Sequence, residues 1–135
     1  MKKRVMVVDS DPEMCRRIQK ILAITRCKVS FAFDAVTAVA EAQTIQPHLV
    51  IVDLSLPAGS GLVVVEQLRN IPDIASVPVI VTAERGARLE VERVFQAGGN
   101  AFLPKPLDPY LLLDYVGRFL PEEESLMTWW NAVSV

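Results

Sequence analysis

Residues 7–14 read VVDSDPEM, and in them a hydrophobic run gives way to acidic residues and a proline. The apolar run at residues 5–8 is valine-rich, too short for a helix and stops at Asp9, so it predicts a buried strand. Asp11 before Pro12 is typical of a helix start, because aspartate caps the first turn and proline is tolerated there. The stretch therefore predicts a strand-to-helix junction whose carboxylates hold either a ligand or the start of the helix.

Short apolar runs and helical patterns alternate along the rest of the chain. Further strands are predicted at residues 28–33, 48–54, 77–83 and 100–104. Residues 62–71, LVVVEQLRNI, are ambiguous, because three valines favour a strand whereas Leu62, Val65 and Leu68 have helical spacing. Continuous apolar strands with helices between them indicate an α/β fold with a doubly wound, five-stranded parallel sheet.

Composition excludes several classes of function. Fourteen Lys and Arg against 16 Asp and Glu give a net charge of −2, which argues against direct nucleic acid binding. Two cysteines and one histidine form neither a zinc pattern nor a disulfide framework, and they leave little for Cys-His or Ser-His catalysis. No apolar stretch is long enough for a membrane span or a signal peptide. The sequence predicts a cytoplasmic protein without a membrane contact, with one domain at residues 1–120.

Chemically capable residues follow four of the predicted strands. Ligands of an open parallel sheet bind at the carboxyl ends of its strands, and those ends carry Asp9, Asp53, Thr82 and Lys105. Each residue alone has an ordinary structural explanation, such as a helix cap or a solvated lysine. Two acids, a hydroxyl and an ammonium at one edge predict a functional site.

Four segments in this order, VVDSDPEM, LVIVDLSLPAGSG, VPVIVTA and FLPKPLD, carry a resemblance to a known family. The sequence resembles the receiver domain of two-component response regulators, the chemotaxis receivers among them, from residue 4 to about residue 120. The spacing of Asp53, Pro57 and Gly61 and the Lys105-Pro106 pair are the specific features. The resemblance implies a flavodoxin-like (βα)5 receiver fold and a phosphoprotein that acts in signal transduction.

The resemblance also implies a role for each residue at the strand ends. Asp53 would accept a phosphoryl group from a histidine kinase or a phosphotransfer protein and form an aspartyl phosphate. Thr82 and Lys105 would contact the phosphoryl oxygens. Asp9, Asp53 and the backbone carbonyl of Ser55 would bind Mg²⁺. Such a protein is a phosphoacceptor rather than an enzyme, with at most self-catalysed phosphoryl transfer and dephosphorylation.

Partners are implied in the same way. In this family the fourth helix, the fifth strand and the fifth helix couple phosphorylation to an output protein or domain, or to a homodimer. We therefore expect that face to be the partner surface.

Two residues depart from the family pattern. Ser10 stands where a second metal-binding acid is usual, so we expect a weakened Mg²⁺ site. Asp11 could compensate, but the position before Pro12 favours the role of helix cap. Phe102 stands where tyrosine is frequent, and it could fill the pocket that Thr82 vacates on switching. The resemblance further suggests that the Lys105-Pro106 peptide bond is cis.

Two alternatives to the phosphoacceptor remain open. Ser10 would also suit a receiver-like interaction module that works without phosphorylation. Asp9 and Asp53 with Mg²⁺ would suit a small phosphohydrolase of similar fold, although the chain has no glycine-rich cofactor loop.

Residues 121–135, PEEESLMTWWNAVSV, follow the receiver pattern as a C-terminal tail. One interpretation is a linker towards an output domain. The other is a short helix that docks on its own domain or on a second copy, because Leu126, Trp129, Trp130 and Val133 form a narrow apolar stripe.

Overall fold

A computed structural model describes residues 2–120. Its elements, in chain order, are β1 (Arg4–Val8), α1 (Pro12–Leu22), a 3₁₀ helix (Ala23–Thr25), β2 (Lys28–Ala32), α2 (Ala35–Ile45), β3 (Leu49–Asp53), α3 (Gly61–Arg69), a second 3₁₀ helix (Pro72–Ile74), β4 (Val79–Ala83), α4 (Arg88–Ala97), β5 (Ala101–Pro104) and α5 (Pro109–Phe119).

The five strands form one parallel sheet in the order β2-β1-β3-β4-β5. Apolar side chains cover both of its faces. Met6 and Val8 belong to the layer under α2, α3 and α4, whereas Val5 and Val7 belong to the layer under α1 and α5. The predicted doubly wound, five-stranded parallel sheet is confirmed. Strands β3 and β4 are buried along their whole length, which explains why they lack polar alternation.

The ambiguous segment at residues 62–71 begins as a helix, α3. The hydroxyl of Ser60 caps it by accepting a hydrogen bond from Val63 N–H at 3.2 Å. Val64, Val65 and Leu68 are buried, the i, i+1, i+4 set of one helix face. Packing of that face on the sheet outweighs the strand preference of the three valines.

Two short helices lie outside the predicted elements. The helix predicted to start at Asp11 and Pro12 ends at Leu22, and a 3₁₀ helix follows it. The second 3₁₀ helix, Pro72–Ile74, was not predicted; it begins at a proline, which suits a first helical position.

Within residues 2–120, no helix is long and apolar enough to cross a membrane. The alternatives for residues 121–135 concern a segment outside the described residues.

Candidate functional site

The residues predicted from the strand ends come together at the carboxyl edge of the sheet. Asp9 follows β1, Asp53 ends β3, and Thr82 lies in β4 as the register partner of Asp53. Lys105 follows β5, the outer strand next to β4. Asp9, Asp53 and Thr82 are buried.

Lys105 connects the two carboxylates. Its Nζ lies 3.2 Å from Asp9 Oδ2 and 3.2 Å from Asp53 Oδ1, with only 14% of the lysine side chain exposed. The Thr82 hydroxyl donates to the same Asp53 oxygen at 3.2 Å. The site thus holds two carboxylates against one ammonium and retains an excess negative charge, which a further cation would neutralise.

The backbone after β5 directs the lysine into the site. The Lys105-Pro106 peptide bond is cis, which confirms the expectation drawn from the resemblance. Lys105 N–H donates to Ala83 O at 2.9 Å, so the turn is attached to the end of β4.

The surroundings shift the pKa values of both Asp53 and Lys105. Burial raises the pKa of the Asp53 carboxyl, and the Asp9 carboxylate adds to the rise against the opposing effect of Lys105. Burial alone would lower the pKa of Lys105, but the carboxylates of Asp53 and Asp9 outweigh it and raise that pKa above its ordinary value. Lys105 therefore stays protonated, whereas a charge on Asp53 is held at a cost in solvation.

Asp11 has the structural role that the sequence favoured. Its side chain caps α1 by accepting a hydrogen bond from Glu13 N–H at 3.0 Å. Its own backbone N–H donates to Asp9 Oδ1 at 2.8 Å. Asp11 thereby fixes the rotamer of Asp9 through its backbone, and Ser10 between them is exposed.

The candidate metal ligands were Asp9, Asp53 and the carbonyl of Ser55. The structure places both carboxylates at one lysine and puts Ser55 in the exposed loop after β3, two residues beyond Asp53. In the part of the chain that is described, no group of three or more His, Cys, Asp or Glu side chains is arranged to hold a metal ion. Two carboxylates and one carbonyl are nevertheless the hard oxygen ligands that Mg²⁺ prefers, since it usually retains several waters.

Cys15 is a contact of the site that the sequence did not indicate. Its thiol lies 3.5 Å from the backbone carbonyl of Asp9 and is buried. Burial, followed by the charges of Asp9 and Asp11, raises the pKa of this thiol to about 11. The sulfur is therefore a neutral packing group beneath Asp9 rather than a nucleophile.

The structure explains why position 61, eight residues after Asp53, is a glycine. A Cβ at this position would lie 2.6 Å from Asp53 O and 2.8 Å from Leu54 Cα. The Gly61 N–H donates to Leu54 O at 2.8 Å. The start of α3 therefore packs directly on the backbone that carries Asp53, and only glycine fits there.

Phe102 lies away from the buried residues of the site. Its side chain is half-buried and faces α4, in a groove that also contains Val91 and Phe95. Thr82 is buried, and its hydroxyl is directed at Asp53. The structure therefore presents Phe102 as a surface-groove residue in the state described, and its proposed movement towards Thr82 stays a prediction.

A comparison with known families matches residues 5–117 to the response regulator receiver domain. The chain belongs to that family. The match spans β1 to most of α5, so it includes all the residues that meet at the carboxyl edge of the sheet. The resemblance seen in the sequence is confirmed, and with it the place of the chain among the receiver domains of two-component signalling.

Two curated relatives illustrate the similarity. The DNA-binding dual master transcriptional regulator RpaA from Synechocystis is 30% identical over 117 residues, which are 87% of this chain and 48% of that protein. The response regulator PleD from Caulobacter vibrioides is 29% identical over 112 residues, which are 83% of this chain and 25% of that protein. The chain thus spans half or less of the length of these relatives.

Solved structures agree on the fold. The receiver domain of the sensor histidine kinase PA1611 from Pseudomonas aeruginosa, solved with a magnesium ion in its active-site cleft, has a TM-score of 0.80 at 23% identity. That match covers 88% of this chain and 98% of the other. At 23% identity, this similarity shows a shared fold only.

Proposed function

We propose that this receiver domain is a phosphoacceptor that takes a phosphoryl group on Asp53 from a histidine kinase or a phosphotransfer protein. The observation that carries the proposal is the position of Lys105 Nζ, 3.2 Å from both Asp9 and Asp53, with the Thr82 hydroxyl on the same Asp53 oxygen. A carboxylate nucleophile, an ammonium and a hydroxyl donor in one cleft are the groups that phosphoryl transfer to an acid requires.

Each side chain has a task in that reaction. Asp53 Oδ attacks phosphorus, the bond from phosphorus to the donor breaks, and an acyl phosphate forms on the carboxylate. The Lys105 ammonium then pairs with a phosphoryl oxygen instead of the Asp53 carboxylate, and the Thr82 hydroxyl donates a hydrogen bond to another phosphoryl oxygen. Asp9, Asp53 and the carbonyl of Ser55 would hold Mg²⁺, which supplies the charge neutralisation that two approaching anions need.

Output would be transmitted through protein contacts, with no direct binding to nucleic acid or a membrane. Exposed apolar side chains on α4 and α5, Leu89 and Tyr110, are 67% and 84% exposed. With β5 between them, they form the face through which we expect an output protein or domain, or a second copy, to bind. The magnesium seen in the similar receiver from Pseudomonas aeruginosa supports the assignment of the cation. Membership of the receiver family supports a signalling role, which we expect to be cytoplasmic.

The proposal is tested by intact mass after incubation with a small phosphodonor and Mg²⁺. We expect a gain of one phosphoryl group in the wild type, no gain in Asp53→Asn, and an unchanged gain in Asp114→Asn, which alters an exposed acid on α5. The absence of any gain at all metal concentrations would instead favour the interaction module that works without phosphorylation. Steady turnover of a phosphate ester would favour the phosphohydrolase.

A further inference from the structure

A groove lies beside the edge strand of the sheet, and none of the residues that meet at Asp53 lines it. It has a volume of about 530 Å³, and residues from the loop after β4, from α4 and from β5 line it. We refer to it as the α4–β5 groove; the lining residues that matter here are Arg85, Arg88, Val91, Phe95, Phe102 and Pro104. Phe95 is 43% exposed, so an aromatic surface faces solvent there.

The groove has aromatic rings at its floor, and its rim carries two arginines and one acid, Glu92. Phe95 and Phe102 supply ring faces, and the exposed guanidinium groups of Arg85 and Arg88 lie next to them. Arg88 forms an exposed ion pair with Glu92 at 3.3 Å, a contact of small energy that an aromatic partner could replace. Phenylalanine rings with neighbouring arginines favour a tryptophan-containing ligand, because indole packs on rings and attracts guanidinium through its π face.

The chain itself carries such a ligand directly after α5 in the sequence. Both of its tryptophans, Trp129 and Trp130, lie in residues 121–135, which also contain three glutamates and no basic residue. The described chain ends at Leu120, directly after α5. The sheet order makes β5 an edge strand, and the two apolar layers place α4 on one of its faces and α5 on the other.

The distances allow contact within one molecule. Alpha-helix α5 has 11 residues and is therefore about 16 Å long. The nine residues from Pro121 to Trp129 can span roughly 30 Å when extended. The tryptophans can thus return along the whole of α5 and reach the α4–β5 groove.

We propose that residues 121–135 dock into the α4–β5 groove of their own chain, with the two tryptophans against Phe95, Phe102 and the arginine rim. The docked segment covers aromatic surface that would otherwise face water. It also competes with any partner that uses the face of α4 and β5, so binding of a partner requires its release. The docking needs no phosphoryl group on Asp53.

Tryptophan fluorescence tests the docking directly, because both tryptophans of the chain lie in the proposed ligand. In the full chain we expect emission at a shorter wavelength and weaker acrylamide quenching than in a synthetic peptide of residues 121–135. We expect the spectrum to be independent of protein concentration. Emission equal to that of the peptide would overturn the proposal, and a blue shift that disappears on dilution would overturn docking within one chain.

Matched variants locate the contact. Phe95→Ala in the groove should remove most of the blue shift, whereas Phe33→Ala should leave it intact, since Phe33 is 48% exposed at the opposite edge of the sheet. Arg85→Ala should weaken docking, and Arg17→Ala on α1 should not. All four positions are exposed, so circular dichroism should show an unchanged fold. Equal effects of Phe95→Ala and Phe33→Ala would exclude the groove.

Discussion

Ser10 determines the charge of the candidate metal site, because it is neutral where a second acid is usual in the family. The neighbouring acids are already engaged, because Asp9 accepts hydrogen bonds from Asp11 N–H and Lys105, and the Asp11 side chain caps α1. Ser10 is exposed, so a carboxylate there would meet no steric obstacle. A charge-assisted contact contributes roughly 1.5–3 kcal/mol.

We therefore expect Ser10→Asp to tighten Mg²⁺ binding about ten- to a hundredfold. Isothermal titration calorimetry measures it, with Ser10→Asn as the control that adds similar bulk without charge and should change the affinity little. Equal affinities of the wild type and Ser10→Asp would mean that water or Asp11 already supplies the missing ligand.

Asp53 combines a functional role with an unfavourable environment. Its folded-state pKa lies above the ordinary value of 3.8 because of burial and the Asp9 carboxylate, despite Lys105. A carboxyl with a raised pKa in the folded state favours folding only while it is protonated, and this contribution is lost as the pH rises through the folded-state value. Ionised Asp53 therefore opposes folding at neutral pH.

In the absence of divalent cations, Asp53→Asn should raise the free energy of unfolding at neutral pH by on the order of 1 kcal/mol. The gain should shrink as the pH falls towards 3.8, and it should also shrink when Mg²⁺ is added, because the cation stabilises only the chain that binds it. Urea unfolding at several pH values measures this. A less stable variant at neutral pH would show that the ion pair with Lys105 outweighs the cost of burial.

At the scale of elements, the junction between β3 and α3 links stability to the position of Asp53. Gly61→Ala would place a methyl group 2.6 Å from Asp53 O, which forces the helix and the strand apart. We expect a loss of about 1–3 kcal/mol in the free energy of unfolding and slower phosphorylation. The chain offers a matched control in Gly117, an exposed position of α5 with nothing within 4 Å of an added Cβ.

Gly117→Ala should stabilise the chain by roughly 0.5–1 kcal/mol, because alanine favours the helix interior over glycine. Urea unfolding and the rate of phosphoryl uptake, measured on both variants, separate packing from helix propensity. If Gly61→Ala behaved like Gly117→Ala, the contact between Gly61 and the backbone of β3 would not be tight in solution.

Local sequence signals predicted most elements but failed where tertiary contacts decide. Asp11 and Pro12 indicated the start of α1, and Asp11 accepts a hydrogen bond from Glu13 N–H at 3.0 Å. The valine run of α3 left strand and helix equally open. Its outcome depends on the sheet beneath it and on the cap at Ser60, a signal that was in the sequence and would have favoured the helix.

At the scale of the whole molecule, topology explains why four distant residues could be predicted to meet. Parallel strands all end at one edge, so the strand order alone brings Asp9, Asp53 and Thr82 together. Side-chain geometry could not be foreseen in the same way. That Lys105 bridges two carboxylates, and that Phe102 faces a surface groove, depends on rotamers and backbone turns that no periodicity encodes.

Arg69 has a structural role that no pattern in the sequence predicted. Its guanidinium donates to Ala75 O, Val77 O and Gly98 O at 3.1, 2.7 and 2.7 Å, and to Asn100 Oδ1 at 3.1 Å. Burial lowers its pKa. One side chain at the end of α3 thus connects the segment before β4 with the turn before β5. These contacts lie at the amino ends of the strands, whereas Asp53 lies at the carboxyl ends.

We expect Arg69→Met to cost about 2–4 kcal/mol in the free energy of unfolding, because several acceptors lose a charged donor. Arg69→Lys should be intermediate, since an ammonium cannot reproduce the planar fork that reaches all four oxygens. Arg118→Met on α5, which breaks only an exposed ion pair with Asp114, should change the value by less than about 1 kcal/mol. Urea unfolding ranks the three variants.

Arg69 lies at the amino ends of the strands, and Asp53 lies at their carboxyl ends. Phosphoryl uptake per folded molecule should therefore stay near that of the wild type. A parallel loss of uptake in folded Arg69→Met would show that the two ends are coupled through β4.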